Sequence, residues 1–224
     1  MGRPLRGAGY LSFQCNICAQ ACAVRLDELD RGTPSCPDCG STVRWRSMVH
    51  VLSMELFGKS LALPVFPVRH DITGIGMSDW GGYAKPLAGK LNYKNTYYHR
   101  EPKLDIAAST IDHALQGTLD FIVCSDVFEH VAPPISTAFE NLRKLLKPSG
   151  VVIFSVPYGK AGKTVEHFPD LYDYEIVEGD GRYILKNTTK EGVRQTFEHV
   201  VFHGGPGAVL VMRQFSESSL LEDL

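Results

Sequence analysis

The 224-residue chain carries a formal net charge of -2, with 23 basic and 25 acidic residues, so it has no strong field to attract nucleic acid or a membrane surface. Its hydrophobic content of 44% and charged content of 21% are typical of a globular protein rather than a disordered one. No apolar run approaches the roughly 20 residues that cross a bilayer, and no apolar segment follows the first arginines as it would in a secretory signal. We therefore expect a cytoplasmic protein with no membrane partner.

Four of the six cysteines form two Cys-x2-Cys pairs, Cys15 with Cys18 and Cys36 with Cys39, separated by 17 residues. Tetrahedral zinc needs four soft ligands, and each pair offers two thiolates from one tight turn. The sequence therefore predicts a zinc ribbon over residues 1–44 with these four cysteines as metal ligands. Two disulfides or a redox-active pair are the alternatives, and a cytoplasmic location disfavours the disulfides. Cys22 is either a spare ligand or a small buried residue.

The segment after the second cysteine pair allows two interpretations. Arg44, Trp45 and Arg46 could form an aromatic and basic contact patch for nucleic acid. The slightly negative net charge favours the alternative, in which the ribbon packs on the rest of the chain or on a second subunit, and we expect no nucleic-acid partner. An amphipathic helix is predicted over Ser47–Phe57 and ends at Gly58, so residues 45–67 are assigned to a helix and linker.

The most regular part of the sequence is residues 119–158. Leu119–Cys124 is almost wholly apolar, as expected of a strand that is covered on both faces. Apolar residues at helical spacing predict a helix from about Ile135 to Leu146, and Val151–Val156 is a second apolar strand. This order predicts a parallel α/β sheet, in which ligands bind beyond the carboxyl ends of the strands, where Ser125–His130 lies.

Three segments resemble the later sheet motifs of class I S-adenosylmethionine-dependent methyltransferases: Asp120–Val123, Phe128–Val131 and Leu146–Gly150, with Ser149 in place of a common glycine. The resemblance implies a Rossmann-like, doubly wound methyltransferase sheet over residues 68–224, with an insertion at 157–205. It also implies that the protein is an enzyme with S-adenosylmethionine as its cofactor.

The family places a glycine-rich turn after the first strand, and the matching segment here is Asp71–Asp79. Gly74 and Gly76 would let the backbone approach the methionine part of the cofactor. Ile72 and Ser78 stand where the family usually has an acid and a third glycine, so Asp79 is the candidate partner of the cofactor's ammonium group. The resemblance implies nine cofactor-binding residues: Gly74, Gly76, Ser78, Asp79, Glu101, Asp105, Ser125, Asp126 and Val127.

Two acidic residues complete that set. Glu101 follows the second strand, which we expect at Asn95–His99, and a carboxylate there suits the ribose hydroxyls. Asp105 resembles the acidic motif near the adenine amino group. Either residue could instead be a solvated loop carboxylate. The segment between the second and third strands is too short for a full helix.

The substrate side of the site is predicted from histidines, because an imidazole can remove a hydroxyl proton near neutral pH. The candidate catalytic residues are His130, His167 and His203. Ser125–Phe128 replaces the Asn/Asp-Pro-Pro-Tyr/Phe tetrapeptide of enzymes that methylate amino groups of bases. The sequence therefore favours O-methylation of a small polar acceptor such as a sugar. A nucleic-acid or protein methyltransferase guided by the ribbon, and a non-catalytic binding module, remain alternatives.

The carboxyl-terminal region predicts a hairpin of Tyr183–Asn187 and Val193–Phe197, a strand at Ala208–Phe215, and a helix at Glu217–Leu224 capped by Ser216. Members of the family usually continue with a further helix and a closing strand pair. The hairpin could supply those strands, the chain could be truncated, or a second subunit could cover the exposed edge, for which reason we expect a homodimer.

Overall fold

The computed structural model describes residues 9–160, 162–179 and 181–224. Residues 1–8, to which the expectation about a secretory signal applies, lie outside the described residues. The chain divides into two compact units. One contains residues up to 104, 117–125 and 146–154, and the other contains 105–116, 126–145 and 155–224. No helix in the described ranges is long and apolar enough to cross a membrane.

The first unit begins with the cysteine-rich segment. Strands β1 (Tyr10–Gln14) and β2 (Ala21–Arg25) form an antiparallel hairpin around the first cysteine pair. Helix α1 spans Val43–Phe57, four residues more at its start than predicted, because Thr42 Oγ1 accepts a hydrogen bond from Trp45 N at 3.3 Å and caps the helix. As predicted, α1 ends at Gly58, whose φ is 66°.

The sheet of the first unit contains β3 (Arg69–Met77), β4 (Leu91–Thr96), β5 (Leu119–Ser125) and β6 (Leu146–Ser155), in the order β4-β3-β5-β6. β3 pairs in parallel with both β4 and β5, and helix α2 (Gly81–Ala88) connects β3 to β4. The predicted α/β class with a parallel sheet is confirmed. The described residues contain only a short 3-10 turn, and no α-helix, between β4 and β5, as the short spacing predicted.

Two strand boundaries differ from the prediction. β4 begins and ends earlier than Asn95–His99, because Leu91 and Tyr93 alternate inward on one side of the strand. β6 already begins at Leu146, so the predicted turn before Val151 is extended backbone. A Cβ at Gly150 would lie 2.7 Å from the Leu119 carbonyl oxygen, so a glycine allows β6 to approach β5 there.

Gly74 and Gly76 lie inside β3, so the prediction that they form the turn after the first strand is wrong. A Cβ at Gly74 would lie 2.3 Å from ring carbons of Phe121, which is fully buried. A Cβ at Gly76 would lie 2.0 Å from Tyr93 Oη and 2.1 Å from Asp79 Oδ2. Both glycines therefore make room for side chains of the protein itself.

The second unit contains helix α3 (Ile135–Leu145), as predicted, and a series of short strands. These are β7 (Tyr158–Gly159), β8 (Val165–Glu166), β9 (Asp173–Gly179), β10 (Arg182–Thr188), β11 (Arg194–Phe197), β12 (Phe202–His203), β13 (Val209–Leu210) and β14 (Arg213–Ser216). The predicted hairpin is β10 with β11, and β9, which the sequence analysis missed, pairs on its other side. This three-stranded sheet is separate from the parallel sheet, so the hairpin does not supply its missing strands.

The end of the described chain agrees with the prediction in part. The strand expected at Ala208–Phe215 is divided into β13 and β14. Helix α4 (Glu217–Asp223) follows, and Ser216 Oγ caps it by accepting from Ser219 N at 3.2 Å. β14 pairs with β7 in parallel and with β8 antiparallel.

We predict that Gly74→Ala lowers the free energy of unfolding by about 1–3 kcal/mol, because the new methyl group overlaps the buried ring of Phe121. Gly179→Ala in β9 is the matched control, since a Cβ there would meet nothing within 4 Å. The control should change the free energy of unfolding by less than about 0.5 kcal/mol. Urea denaturation measures both, and equal stabilities would contradict this packing.

Candidate active site and metal centre

The turn after β3 consists of Ser78, Asp79 and Trp80, at the carboxyl end of the parallel strands. Ser78 has a φ of 58°, a left-handed conformation that is uncommon outside glycine. Its N–H donates to the Thr96 carbonyl at 2.7 Å, which ties the turn to the end of β4. α2 begins directly afterwards at Gly81. This is the position where open parallel sheets bind ligands.

Asp79 is held firmly in this turn and is only 7% exposed. Its N–H donates to Asn95 Oδ1 at 2.9 Å, and Asn95 Nδ2 donates to its carbonyl at 2.8 Å. Tyr93 Oη donates to Asp79 Oδ2 at 2.5 Å. Asp79 Oδ1 is buried and has no hydrogen-bond partner among the described residues. A buried carboxylate oxygen that lacks a hydrogen-bond partner is suited to accept from a cationic donor.

The charge of Asp79 changes close to neutral pH. Burial raises the pKa of Asp79 to about 6, although the hydroxyls of Tyr93 and Tyr83 and the charge of Arg44 oppose that rise. The carboxylate form is therefore favoured further when a second positive charge lies next to it. The ammonium group of an amino acid or of S-adenosylmethionine fits this requirement.

Arg44 reaches the same edge of the sheet from the first turn of α1. Its Nη1 donates to Ser125 Oγ, at the end of β5, at 3.4 Å, and its charge lowers the pKa of Asp79. Nothing in the sequence assigned Arg44 to this edge. No local pattern could have done so, because the contact joins residues 81 positions apart.

The three residues of the suggested nucleic-acid patch are engaged within the first unit. The Trp45 ring stacks on Trp80 with 4.1 Å between ring centroids and 7° between planes. Arg46 donates to the Ser41 carbonyl and to Ser35 Oγ, each at 2.7 Å. These contacts favour the interpretation in which the cysteine-rich segment packs on the rest of its own chain.

The residues after β5 have an unusual backbone. Asp126 has a φ of 54°. Its N–H donates to the Ser155 carbonyl at 2.8 Å, and its Oδ1 accepts from Ser155 Oγ at 3.2 Å. Val127 follows, half-buried, before a 3-10 turn over Phe128–His130. Left-handed conformations outside glycine cost energy and concentrate at functional sites, which is in keeping with the predicted role of this segment.

Glu101 and Asp105 lie in loops. Glu101 is exposed and five residues beyond the end of β4, so the strand-end position that the sequence assigned to it is wrong. Its Oε2 accepts from Lys103 N at 2.9 Å. Asp105 Oδ1 accepts from Ala107 N at 3.0 Å. Each carboxylate thus accepts a hydrogen bond within its own loop, and its cofactor role stays a prediction.

In the second unit, Glu129, His130 and His203 bring three ligand atoms within 4.8 Å of one another. His130 Nε2 lies 3.3 Å from His203 Nδ1 and 3.8 Å from Glu129 Oε1. His130 Nδ1 lies 2.8 Å from the Leu210 carbonyl oxygen. Because a carbonyl can only accept, Nδ1 carries the hydrogen and Nε2 carries the lone pair. Burial lowers the pKa of His130, which favours this neutral form.

His167, the third candidate base, is held by backbone carbonyls of the neighbouring chain segment. Its Nδ1 lies 3.1 Å from the Val211 carbonyl, and its backbone N–H donates to the Met212 carbonyl at 2.8 Å. Among the described residues, the cluster of ligand atoms contains His130 and His203 and does not contain His167. The family resemblance placed His130 best among the three, but spacing along the chain does not show which histidines converge.

The thiols of Cys15, Cys18, Cys36 and Cys39 also lie within 4.8 Å of one another. Cys15 Sγ is 3.7 Å from Cys39 Sγ, and Cys18 Sγ is 3.6 Å from Cys36 Sγ. Four sulfurs bound about 2.3 Å from a tetrahedral zinc ion lie about 3.8 Å apart, so this cluster has the size of such a site. All six cysteines are free thiols, and these separations are far longer than a disulfide bond of about 2.05 Å.

The two cysteine pairs have matching backbones. Ala19 N donates to the Cys15 carbonyl at 2.7 Å, and Gly40 N donates to the Cys36 carbonyl at 2.9 Å. Both donors have positive φ, 68° for Ala19 and 70° for Gly40. Although burial raises the pKa of the Cys36 thiol, hydrogen bonds from the backbone of Cys39 and Asp38 bring it down to about 6. The thiolate form is therefore favoured at Cys36, whereas burial raises the pKa of the Cys18 and Cys39 thiols.

Comparison with known proteins gives the family of the chain. A family described as "Methyltransferase domain" matches residues 60–184, which is more than half of the chain. The chain belongs to this methyltransferase family. The methyltransferase uses S-adenosylmethionine as its cofactor.

One solved structure similar to the methyltransferase is an S-adenosylmethionine-dependent methyltransferase from Mesorhizobium loti. The two sequences are 13% identical, the match covers 73% of this chain and 77% of that chain, and the TM-score is 0.38. No curated protein sequence matches the methyltransferase significantly.

We predict that Cys36→Ser abolishes zinc binding and loosens the cysteine-rich segment, because a serine hydroxyl does not replace a thiolate in a tetrahedral site. Cys22→Ser is the matched control. Cys22 Sγ lies 3.6 Å from Cys36 Sγ but is not part of the four-thiol cluster. Elemental analysis should find one zinc per chain in the wild type and in the control, and none in Cys36→Ser. Zinc retained by Cys36→Ser would refute this ligand set.

Proposed function

We propose that the methyltransferase transfers a methyl group to a hydroxyl oxygen of a small polar acceptor. The observation that carries this proposal is the lone pair of His130 Nε2, which the Leu210 carbonyl fixes in position beside His203 and Glu129. A hydroxyl must lose its proton as it attacks carbon, and a neutral imidazole is a suitable acceptor for that proton. When bound, S-adenosylmethionine supplies a methyl group on a sulfonium for in-line displacement.

On the cofactor side, the proposal assigns the ammonium group to Asp79 and the carboxylate group to Arg44. The unpartnered Oδ1 of Asp79 supports the first assignment, and the guanidinium beside Ser125 supports the second. The residues of this chain then hold the amino-acid end of the cofactor by its two opposite charges. Ser78 and Ser125 line the strand ends in this proposal. Asp126 and Val127, which follow Ser125 in the chain, are carried forward as cofactor-binding residues. Gly74 and Gly76 act indirectly, through the packing of Phe121 and Tyr93.

The proposal gives zinc a structural role. Cys15 and Cys36 share one hydrophobic core with α1 residues such as Met48 and Leu52 and with Phe121 of the sheet. A metal held by the four thiols would fix the start of α1, from which Arg44 extends. Domain boundaries at residues 44 and 67, a cytoplasmic location and a homodimer are carried forward as parts of this proposal.

We predict that Asp79→Asn weakens S-adenosylmethionine binding about tenfold or more, because a hydrogen bond to a charged group is lost. In the wild type, the affinity should rise as the pH is raised from 5 to 7. The pKa of Asp79 is about 6, and binding a cation requires the ionised form, which the free protein holds only above that pH. Asp79→Asn should show no rise across this range. Isothermal titration calorimetry at several pH values measures both effects.

Asp71→Asn is the control for that measurement. Asp71 lies on the same strand but is exposed and paired with Arg69 at 2.6 Å. Its replacement should leave the affinity and its pH dependence unchanged. An Asp79→Asn protein that binds the cofactor as tightly as the wild type would place the ammonium site elsewhere.

The acceptor class is tested with S-adenosylmethionine carrying a labelled methyl group and matched pairs of small acceptors that differ only in a hydroxyl or an amino group. We predict label transfer to the hydroxyl member. We also predict that His130→Gln lowers kcat about 100-fold or more at unchanged cofactor affinity, because proton removal is lost and cofactor contacts are kept. Label found in amino acceptors, or only in precipitable nucleic acid or protein, would refute O-methylation of a small molecule.

A further inference from the structure

The side chains of Glu129, His130 and His203 have the donor set and the spacing of a divalent metal site. Two imidazole nitrogens and one carboxylate oxygen converge within 4.8 Å, with separations of 3.3 Å between the nitrogens and 3.8 Å from His130 Nε2 to Glu129 Oε1. Ligands bound at about 2.0–2.2 Å with angles near 90–109° lie about 2.8–3.6 Å apart. The two His130 separations are therefore close to those around a bound ion, and the third separation, between the donors of Glu129 and His203, is within 4.8 Å.

The orientation of His130 is the one that a metal ligand requires. Its Nδ1–H donates to the Leu210 carbonyl, so the lone pair of Nε2 faces the other two donors. Metal-bound histidines characteristically donate their second ring N–H to a carbonyl or carboxylate, which fixes the ring. The strand that carries Leu210 also positions His203. β12 pairs with β13 and places Phe202, the neighbour of His203, opposite Leu210. One pair of strands therefore orients both imidazoles.

The carboxylate is also held in place. Glu129 is only 3% exposed, and its backbone carbonyl accepts from Met212 N at 2.7 Å. Arg213 donates from Nε to Glu166 Oε1 at 2.6 Å and from Nη1 to the carbonyl of Phe128, the residue before Glu129. A divalent cation at this point would place positive charge beside a buried carboxylate, where opposite charges are strongly favoured.

We propose that Glu129, His130 and His203 bind a first-row divalent cation, separately from the four-thiol cluster. Imidazole and carboxylate donors suit manganese, iron and zinc, whereas the thiols select zinc. Because His203 is exposed, an ion bound here keeps open positions for oxygen ligands from outside the protein.

The role of the ion rests on the proposed O-methylation and revises one step of it. With an ion bound to His130 Nε2, that nitrogen no longer takes the hydroxyl proton itself. The acceptor hydroxyl binds the cation, which lowers the pKa of that hydroxyl so that its proton leaves to solvent. The oxygen then forms its bond to the methyl carbon while the carbon–sulfur bond breaks and the electron pair stays on sulfur. The two imidazoles act in this case by holding the ion. An acceptor with two neighbouring hydroxyls would fit best, because both could bind the ion.

The test is a titration of the full-length, zinc-loaded protein with Mn²⁺ alone, followed by electron paramagnetic resonance of the free ion. Mn²⁺ competes poorly for thiolates, so the signal reports on nitrogen and oxygen donors. We expect one Mn²⁺ site per wild-type chain and an affinity at least about tenfold weaker in His203→Ala. His199→Ala, an exposed histidine four residues away, is the matched control and should bind as the wild type does.

Equal Mn²⁺ binding by the wild type and His203→Ala, or no binding by either, would overturn the metal site and leave a simple imidazole pair. Circular dichroism and zinc content verify that His203→Ala is folded, and Glu129→Gln serves as a second variant that should also lose Mn²⁺. This titration uses neither cofactor nor acceptor, so its outcome does not depend on the proposed reaction. A separate activity assay connects the metal site to the proposed reaction: Mn²⁺ should stimulate methyl transfer by the wild type but not by His203→Ala.

Discussion

The close approach of β4 and β5 to the central strand β3 is the constraint on which the turn at Ser78–Trp80 depends. Without side chains at Gly74 and Gly76, the rings of Phe121 and Tyr93 stack across β3 with 6.1 Å between centroids and 3° between planes. Tyr93 thereby brings its hydroxyl to Asp79 at 2.5 Å. A carboxylate that would otherwise be solvated is buried at the strand end, and its pKa rises accordingly.

The cysteine-rich segment belongs to the same structural unit as this edge. Cys15 and Cys36 contribute to the hydrophobic core that also contains Leu52 and Phe121. The cap at Thr42 starts α1 directly after the second cysteine pair, so that Arg44 lies in its first turn. A ribbon of this size buries little apolar surface by itself, and shared packing together with a metal is a physically sufficient way to order it.

In the second unit, short strands and single hydrogen bonds hold the candidate metal ligands in place. Leu210 is the pivotal position, because its side chain is in the core while its carbonyl orients His130. The two residues are 80 positions apart in the chain. Convergence of Glu129, His130 and His203 thus depends on the pairing of β12 with β13, a contact that has no periodic signature in the sequence.

The sequence by itself determined the features that follow from local chemistry and regular spacing. The cysteine spacing predicted the four thiols that converge, apolar runs predicted β5 and α3, and Ser216 and Gly58 predicted helix ends. The tertiary structure alone decided the turn at Ser78–Trp80, the use of two glycines for internal packing, and the convergence of His130 with His203 and not with His167. Those features depend on which distant side chains occupy the same space, and spacing along the chain carries no information about that.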